Sequence, residues 1–163
     1  LMSYYETTYG EVIDYDNLYN EIKKLLETRG LKCNIYKFYD FGSGYGRLVN
    51  NFTKYFEKSI GVELVKDRHD VAIKENIVDN LILINSNFFD IKLDGPLVLF
   101  VNNLCFGKGT NKRLSKKICD ELNNNDIVIV TKKLDLLEKY FINFVKLDCS
   151  WGKSEFFFYI FLK

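Results

Sequence analysis

The chain has 163 residues, a formal net charge of +1, and a composition that is 47% apolar and 28% charged. That is one domain's worth of globular protein with a core of its own, and the charge balance gives no electrostatic argument for a nucleic-acid partner. The longest apolar runs, Pro96 to Val101 and Phe156 to Leu162, fall well short of the roughly 18 residues of a membrane-spanning helix, and there is no basic-then-apolar leader pattern, so no membrane partner and an intracellular, nuclear or cytoplasmic location are expected.

In chain order, Asp16 to Arg29 carries apolar residues at Leu18, Ile22, Leu25 and Leu26, a spacing that predicts an amphipathic helix closed by Gly30. Strands are predicted at Asn34 to Phe41, Lys58 to Glu63, Leu81 to Asn85, Leu97 to Asn102, Asp126 to Thr131, Asn143 to Cys149 and Glu155 to Leu162. Helices are predicted between them at Tyr45 to Phe56, Lys66 to Asn80, Asn111 to Leu122 and Leu134 to Phe141. Strands alternating with helices imply right-handed crossovers and a largely parallel sheet with helices on both faces. Only the last two strands lack room for a helix, so the loop Cys149 to Ser154 predicts an antiparallel hairpin at one edge. The expectation is a single α/β domain over residues 1–163 with a seven-stranded, mostly parallel sheet. Cys33, Cys105, Cys119 and Cys149 show no CxxC spacing and His69 is the only histidine. That pattern argues for reduced core thiols, with neither a zinc site nor a disulfide framework.

Three glycines at alternate positions, Gly42, Gly44 and Gly46, sit between the first strand and the next helix, with Asp40 two residues before them. Glycines there accept positive φ, keep Cβ atoms out of a ligand's path and aim N–H groups at the start of a helix. A dinucleotide fingerprint wants GxGxxG; GxGxG with a preceding acid resembles the first motif of S-adenosylmethionine (SAM) methyltransferases, although many α/β turns are glycine-rich. Glu63, about 20 residues on, stands where doubly wound folds place an acid on ribose hydroxyls, a use that NAD sites share and that an exposed strand-end acid would mimic. Asn87-Phe88 after the third strand offers an amide oxygen for an adenine amino group and a ring for stacking, or simply a turn residue before a core residue.

The run Leu99-Phe100-Val101-Asn102-Asn103-Leu104-Cys105-Phe106-Gly107 closely resembles the VNNFAFG signature of the Dot-type histone lysine methyltransferases (disruptor of telomeric silencing, the non-SET class). Three other stretches agree in order: Tyr9-Gly10-Glu11 with that family's YGE loop, Asp40 to Gly46 with its DLGSGVG, and Ser150-Trp151-Gly152-Lys153 with its SWTGKPVSYYL end. The resemblance implies a class I methyltransferase (Rossmann-like) fold with SAM as cofactor. It implies that Tyr9, Glu11, Asp40, Gly42, Ser43, Gly44, Gly46, Glu63, Asn87, Phe88 and Asn102 contact the cofactor, with Asp40 near its amino group. Asn87 replaces an aspartate, so weaker cofactor binding is expected. Asn102 is implied at the mouth of a lysine channel walled by Phe106, Trp151 and Phe157, the last in place of a tyrosine; Val12 likewise replaces a threonine. Plain core packing is the other reading for all three aromatic residues.

The chemistry implied is in-line transfer of a methyl group to a neutral lysine amine. At pH 7 only on the order of one lysine in a thousand is neutral. Desolvation in an aromatic channel and a neighbouring positive charge would shift that balance, Asn102 would accept a remaining amine hydrogen, and no side chain suggests itself as a dedicated base. The expected partner is a histone or nucleosome. Lys108, Lys112, Arg113, Lys116 and Lys117 follow the asparagine motif and would meet DNA phosphate or an acidic protein, or form an ordinary solvated helix face. The helical region that precedes the YGE loop in the family has no counterpart here, which gives the expectation of a minimal catalytic core. Two alternatives remain open: methylation of a non-histone protein or of RNA, and a SAM-binding interaction domain without activity.

Overall fold

The computed structural model of the chain describes residues 2–3 and 5–163. Seven strands form one sheet: β1 (Lys37–Phe41), β2 (Lys58–Glu63), β3 (Leu81–Asn85), β4 (Leu97–Val101), β5 (Ile127–Val130), β6 (Phe141–Cys149) and β7 (Gly152–Ile160). Their order is β3-β2-β1-β4-β5-β7-β6. The first five pair in parallel, and β7 runs antiparallel to both β5 and β6.

Among the described residues, four α-helices accompany the sheet: α1 (Tyr15–Glu27), α2 (Arg47–Phe52), α3 (Lys66–Glu75) and α4 (Lys108–Glu121). The period-2 alternation of the strands assigns each residue to a layer. Phe38, Val98, Phe100, Ile127, Ile129, Phe156 and Phe158 face the α1/α2 side, where Leu18, Ile22, Leu26, Leu48, Val49 and Phe52 meet them. Tyr39, Phe41, Leu99, Val101, Val128, Val130, Tyr159 and Phe161 face the α4 side, with Leu114 and Ile118. Because both faces are covered, β4 and β5 read as unbroken apolar runs.

Several boundaries differ from the sequence reading. The segment expected as a helix over Leu134 to Phe141 is a 3-10 helix over Asp135–Tyr140, a tighter form common in short connectors. The helix after the glycines begins at Arg47, because Gly46 adopts a left-handed conformation at its N-cap. α3 stops at Glu75, five residues before the expected end, and buries only Ala72. Cys149 pairs with Gly152, so the hairpin loop shrinks to Ser150-Trp151. Gly152 takes a φ of +120° there, a conformation that costs glycine little. Of the four thiols, Cys33 and Cys149 are buried, Cys119 is half-buried and Cys105 is exposed, so the core-thiol expectation holds for two.

Candidate methyl-transfer site

Strand order reverses at β1, whose neighbours are β2 and β4, and a crevice opens beyond the carboxyl ends of these strands. The topology therefore delivers Asp40, Glu63 and Asn102 to one place from three separate stretches. The glycine loop lies over it, with φ of +98°, +56° and +78° at Gly42, Gly44 and Gly46. Gly42 and Ser43 donate backbone N–H bonds to the Val62 carbonyl at 2.8 and 3.1 Å. A Cβ on Gly61 would sit 2.6 Å from Ser43 Oγ, so Ser43 packs into β2. Glu63 accepts from Gly44 N at 2.7 Å and from Val65 N at 2.8 Å.

Three carboxylates crowd this crevice. Asp40 is 5% exposed, and burial first, then the charges of Glu63 and Glu11, push its carboxyl up to about 8. Arg47 pairs with Glu11 at 2.9 Å and Arg68 lies 3.9 Å from Glu63; no cation pairs with Asp40 among the described residues. A crowded acid lacking a cation suits a ligand that carries positive charge, as SAM does on its ammonium and sulfonium groups, so the chain's residues fit such a cofactor in charge and in loop geometry.

Space at the same place is taken by the N-terminal segment. The Tyr9 ring lies against Gly44, where a Cβ would fall within the ring, and meets Tyr45 edge-on at 5.1 Å. Its hydroxyl donates to Glu11, and burial raises its pKa well above the usual range. Arg68 donates to the Thr7 carbonyl at 2.7 Å. Glu6 accepts from Gly107 N at 3.0 Å and Thr110 Oγ1 at 2.6 Å, capping α4. The bond from Thr110 first, then those from Ser3 N and Gly107 N, hold its carboxyl below the usual range. The cavity between this segment and Gly42, Glu63, Arg68 and Phe88 measures about 50 Å³. Ligand pockets typically run to about 300 Å³ or more, so the space these residues leave is smaller than a nucleoside-sized cofactor fills.

A second, wider cavity of about 390 Å³ adjoins the first, lined by Glu6, Thr8, Tyr9, Gly10, Asn102, Leu104, Cys105, Phe106, Ser150 and Trp151. Trp151, 40% exposed at the hairpin tip, packs over Gly10, whose Cβ would lie 2.7 Å from the ring. Ser150 and Glu11 exchange hydrogen bonds: Glu11 N to Ser150 Oγ at 3.0 Å and Ser150 N to the Glu11 carbonyl at 2.8 Å. These bonds close a gap of 139 residues in the chain. Asn102 shares both cavities and donates to the Gly10 carbonyl at 3.3 Å.

Not every expected residue arrives. Phe157 lines neither cavity; its ring turns to Phe141 and Phe144 of β6, at 6.4 and 6.0 Å, because β7 pairs it opposite Phe144. Asn87 spends its amide oxygen as the N-cap of the 3-10 helix Phe88–Asp90, accepting from Phe89 N at 3.0 Å. Phe88 does line the narrow cavity, stacked on Phe41 at 4.8 Å. In the basic cluster, Lys117 is not free: it donates to the Ile91 carbonyl and pairs with Glu121 at 2.7 Å. Lys108, Lys112, Arg113 and Lys116 remain exposed. Glu6 and Arg68 escaped the sequence reading, since nothing local distinguishes either from a surface charge.

This is the fold of the class I SAM-dependent methyltransferases. An RNA methyltransferase from Salinibacter ruber, solved with S-adenosylhomocysteine, superposes with a TM-score of 0.64 at 18% identity over 86% of this chain and 90% of its own. The N-methyltransferase NodS from Bradyrhizobium japonicum gives 0.69 at 5% identity, over 91% and 97%. A tRNA methyltransferase from Aquifex aeolicus gives 0.62 at 18% identity, over 93% and 70%. No family model and no curated protein sequence matches the chain. At these identities the likeness concerns the fold alone.

Proposed function

We propose that the chain is a SAM-dependent methyltransferase acting on a lysine side chain of a protein. One observation carries this reading: four separated stretches that resemble Dot-type motifs, around Tyr9, Gly44, Asn102 and Trp151, converge on two adjoining cavities that share Asn102. The cofactor side is acidic. The acceptor side has aromatic walls from Trp151 and Phe106, one carboxylate, Glu6, and no basic side chain among its described residues. Such walls favour a cationic side chain over a phosphate-bearing one.

Asp40 holds the cofactor's ammonium, Glu63 its ribose hydroxyls, and the glycine loop leaves backbone room for it. Bound SAM supplies the methyl group and a positive sulfonium. On the acceptor side, Trp151 and Phe106 cover the lysine stem, and desolvation lowers the amine's pKa toward neutrality, so that its proton passes to bulk water before transfer. Asn102 Oδ1 accepts one amine hydrogen and so directs the lone pair, and holding the two groups in line supplies the larger share of the acceleration. A histone in the nucleosome is the first acceptor to test, on the resemblance.

The experiment offers labelled SAM to nucleosomes, free histones, total RNA and a cell lysate, with wild-type protein and Asn102→Ala. Label on a lysine with wild type, lost in Asn102→Ala while S-adenosylhomocysteine still binds, supports the proposal. Label on RNA would replace it with the activity that two of the structural neighbours carry in their names. Undiminished transfer by Asn102→Ala would refute the mechanism.

A further inference from the structure

The two consecutive asparagines at the end of β4 have different neighbours. Asn103 is fully buried and its amide is saturated. Its Oδ1 accepts from Thr131 N at 3.1 Å and Lys132 N at 2.9 Å, and its Nδ2 donates to Asn111 Oδ1 at 3.0 Å and the Lys132 carbonyl at 2.9 Å. It therefore ties the end of β5 to the end of β4 and to the first turn of α4. Asn102 instead faces the cavities, held by two long bonds: Nδ2 to the Gly10 carbonyl at 3.3 Å, and Leu104 N to Oδ1 at 3.4 Å. Both are near the outer limit of a useful hydrogen bond. The one short bond comes from Thr131, 3% exposed, whose Oγ1 lies 2.7 Å from Asn102 Oδ1.

The polarity of these contacts fixes which end of the amide points where. The Gly10 carbonyl can only accept and the Leu104 N–H can only donate, so Nδ2 faces Gly10 and Oδ1 faces Leu104 and Thr131. The Thr131 hydroxyl must then donate its single proton to Oδ1. The other acceptor near it, Asn103 Oδ1, is 3.5 Å away and already doubly bonded.

We propose that Thr131 is a positioning residue for methyl transfer: immobilised through Asn103, it pins the Asn102 amide plane so that the side of Oδ1 held only by the long Leu104 N–H bond is presented to the acceptor amine, which displaces that bond. This assignment rests on the methyltransferase reading above. The hydroxyl never touches the reacting atoms; it acts through Asn102.

The test uses Thr131→Val, which keeps the shape and loses the donor, and Thr131→Ser, which keeps the donor; Thr131→Ala substitutes if the valine variant does not fold. Misplacement of a reacting group by about 1 Å can cost on the order of 100-fold, so kcat should fall about tenfold or more in Thr131→Val. S-adenosylhomocysteine affinity should hold within about twofold, since Thr131 lines neither cavity. Thr131→Ser should restore most of the loss. Independently of turnover, 15N relaxation of the Asn102 side-chain amide should show a lowered order parameter in the valine variant and not in the serine one. Full kcat in Thr131→Val beside an inactive Asn102→Ala overturns the positioning role and leaves the reaction intact. Equal losses in the valine and serine variants overturn it as well, because the hydroxyl then makes no difference. Should Asn102→Ala stay active, or wild type transfer no methyl group, the reaction itself fails; an unchanged amide order parameter in Thr131→Val would still overturn the pinning.

Discussion

Replacing Asp40 by asparagine tests the crowded acids at the end of β1. Burial, then Glu63 and Glu11, push the Asp40 carboxyl up to about 8 in the folded protein, against about 3.9 in an unfolded chain. Between those values the folded state binds one proton more than the unfolded state. The stabilisation this confers is fully present below about pH 4 and is lost as pH rises through about 8. One pKa unit corresponds to about 1.4 kcal/mol, so Asp40 should lower the unfolding free energy by about 1.4 kcal/mol per pH unit from pH 5 to 7, flattening above 8. Urea denaturation of wild type and Asp40→Asn at pH 5, 6, 7 and 8 isolates this one group, since every other titration is shared. The two stability curves should diverge steadily, the asparagine variant gaining on wild type as pH rises. S-adenosylhomocysteine, which carries an ammonium, should bind wild type with release of about one proton, and its affinity should fall up to about tenfold per pH unit below 7. Parallel stability curves, together with pH-independent binding, would mean that Asp40 is already ionised in the free protein and that the acids are not crowded as described.

Four further outcomes follow from the same geometry. Gly44→Ala introduces a Cβ into the space of the Tyr9 ring at a φ of +56°, a conformation that costs a non-glycine residue about 1–2 kcal/mol. Thermal unfolding should fall by several degrees and cofactor binding should be lost. Gly109→Ala, in α4 with nothing within 4 Å of its Cβ, should be neutral or stabilising by up to about 1 kcal/mol. Charge reversal at Lys112, Arg113 and Lys116 should weaken nucleosome or duplex binding and reduce the dependence of log K on log salt by about 0.9 for each phosphate contact removed. Lys117→Ala should instead cost stability with no change in that slope, because its ammonium is spent on Glu121 and Ile91; equal slopes for all four substitutions would contradict this division.

Most of the architecture was legible in the chain because it rests on local rules. Apolar periodicity marked all seven strands and the four helices, and the alternation of strand and helix forced the parallel sheet. The glycine triplet announced a turn in positive φ, and the structure places all three glycines there. The boundaries that shifted are those where a local preference is weak or is overridden. Leu137 and the preceding Leu134 are both buried, but the six-residue segment Asp135–Tyr140 is short enough to tighten into a 3-10 helix. The hairpin loop closed to two residues because Gly152 accepts a φ that no other residue there would.

The covalent sequence by itself determined which elements form, the order of the four motif-like stretches and the side chains available for chemistry, since each depends on neighbours a few residues away. Only the tertiary structure decided which of those side chains share a space. It brought Glu11 against Ser150 and Trp151 over Gly10, set Asp40 beside Glu63, and gave Asn102 its bond from Thr131. It also withdrew residues the sequence had nominated: Phe157 into contact with β6, the Asn87 oxygen into a cap, and Lys117 into an ion pair. The physical reason is common to all of these. A side chain has several partners it can satisfy equally well, and which one it meets depends on strand order and register across the sheet, distances that no local pattern in the sequence encodes.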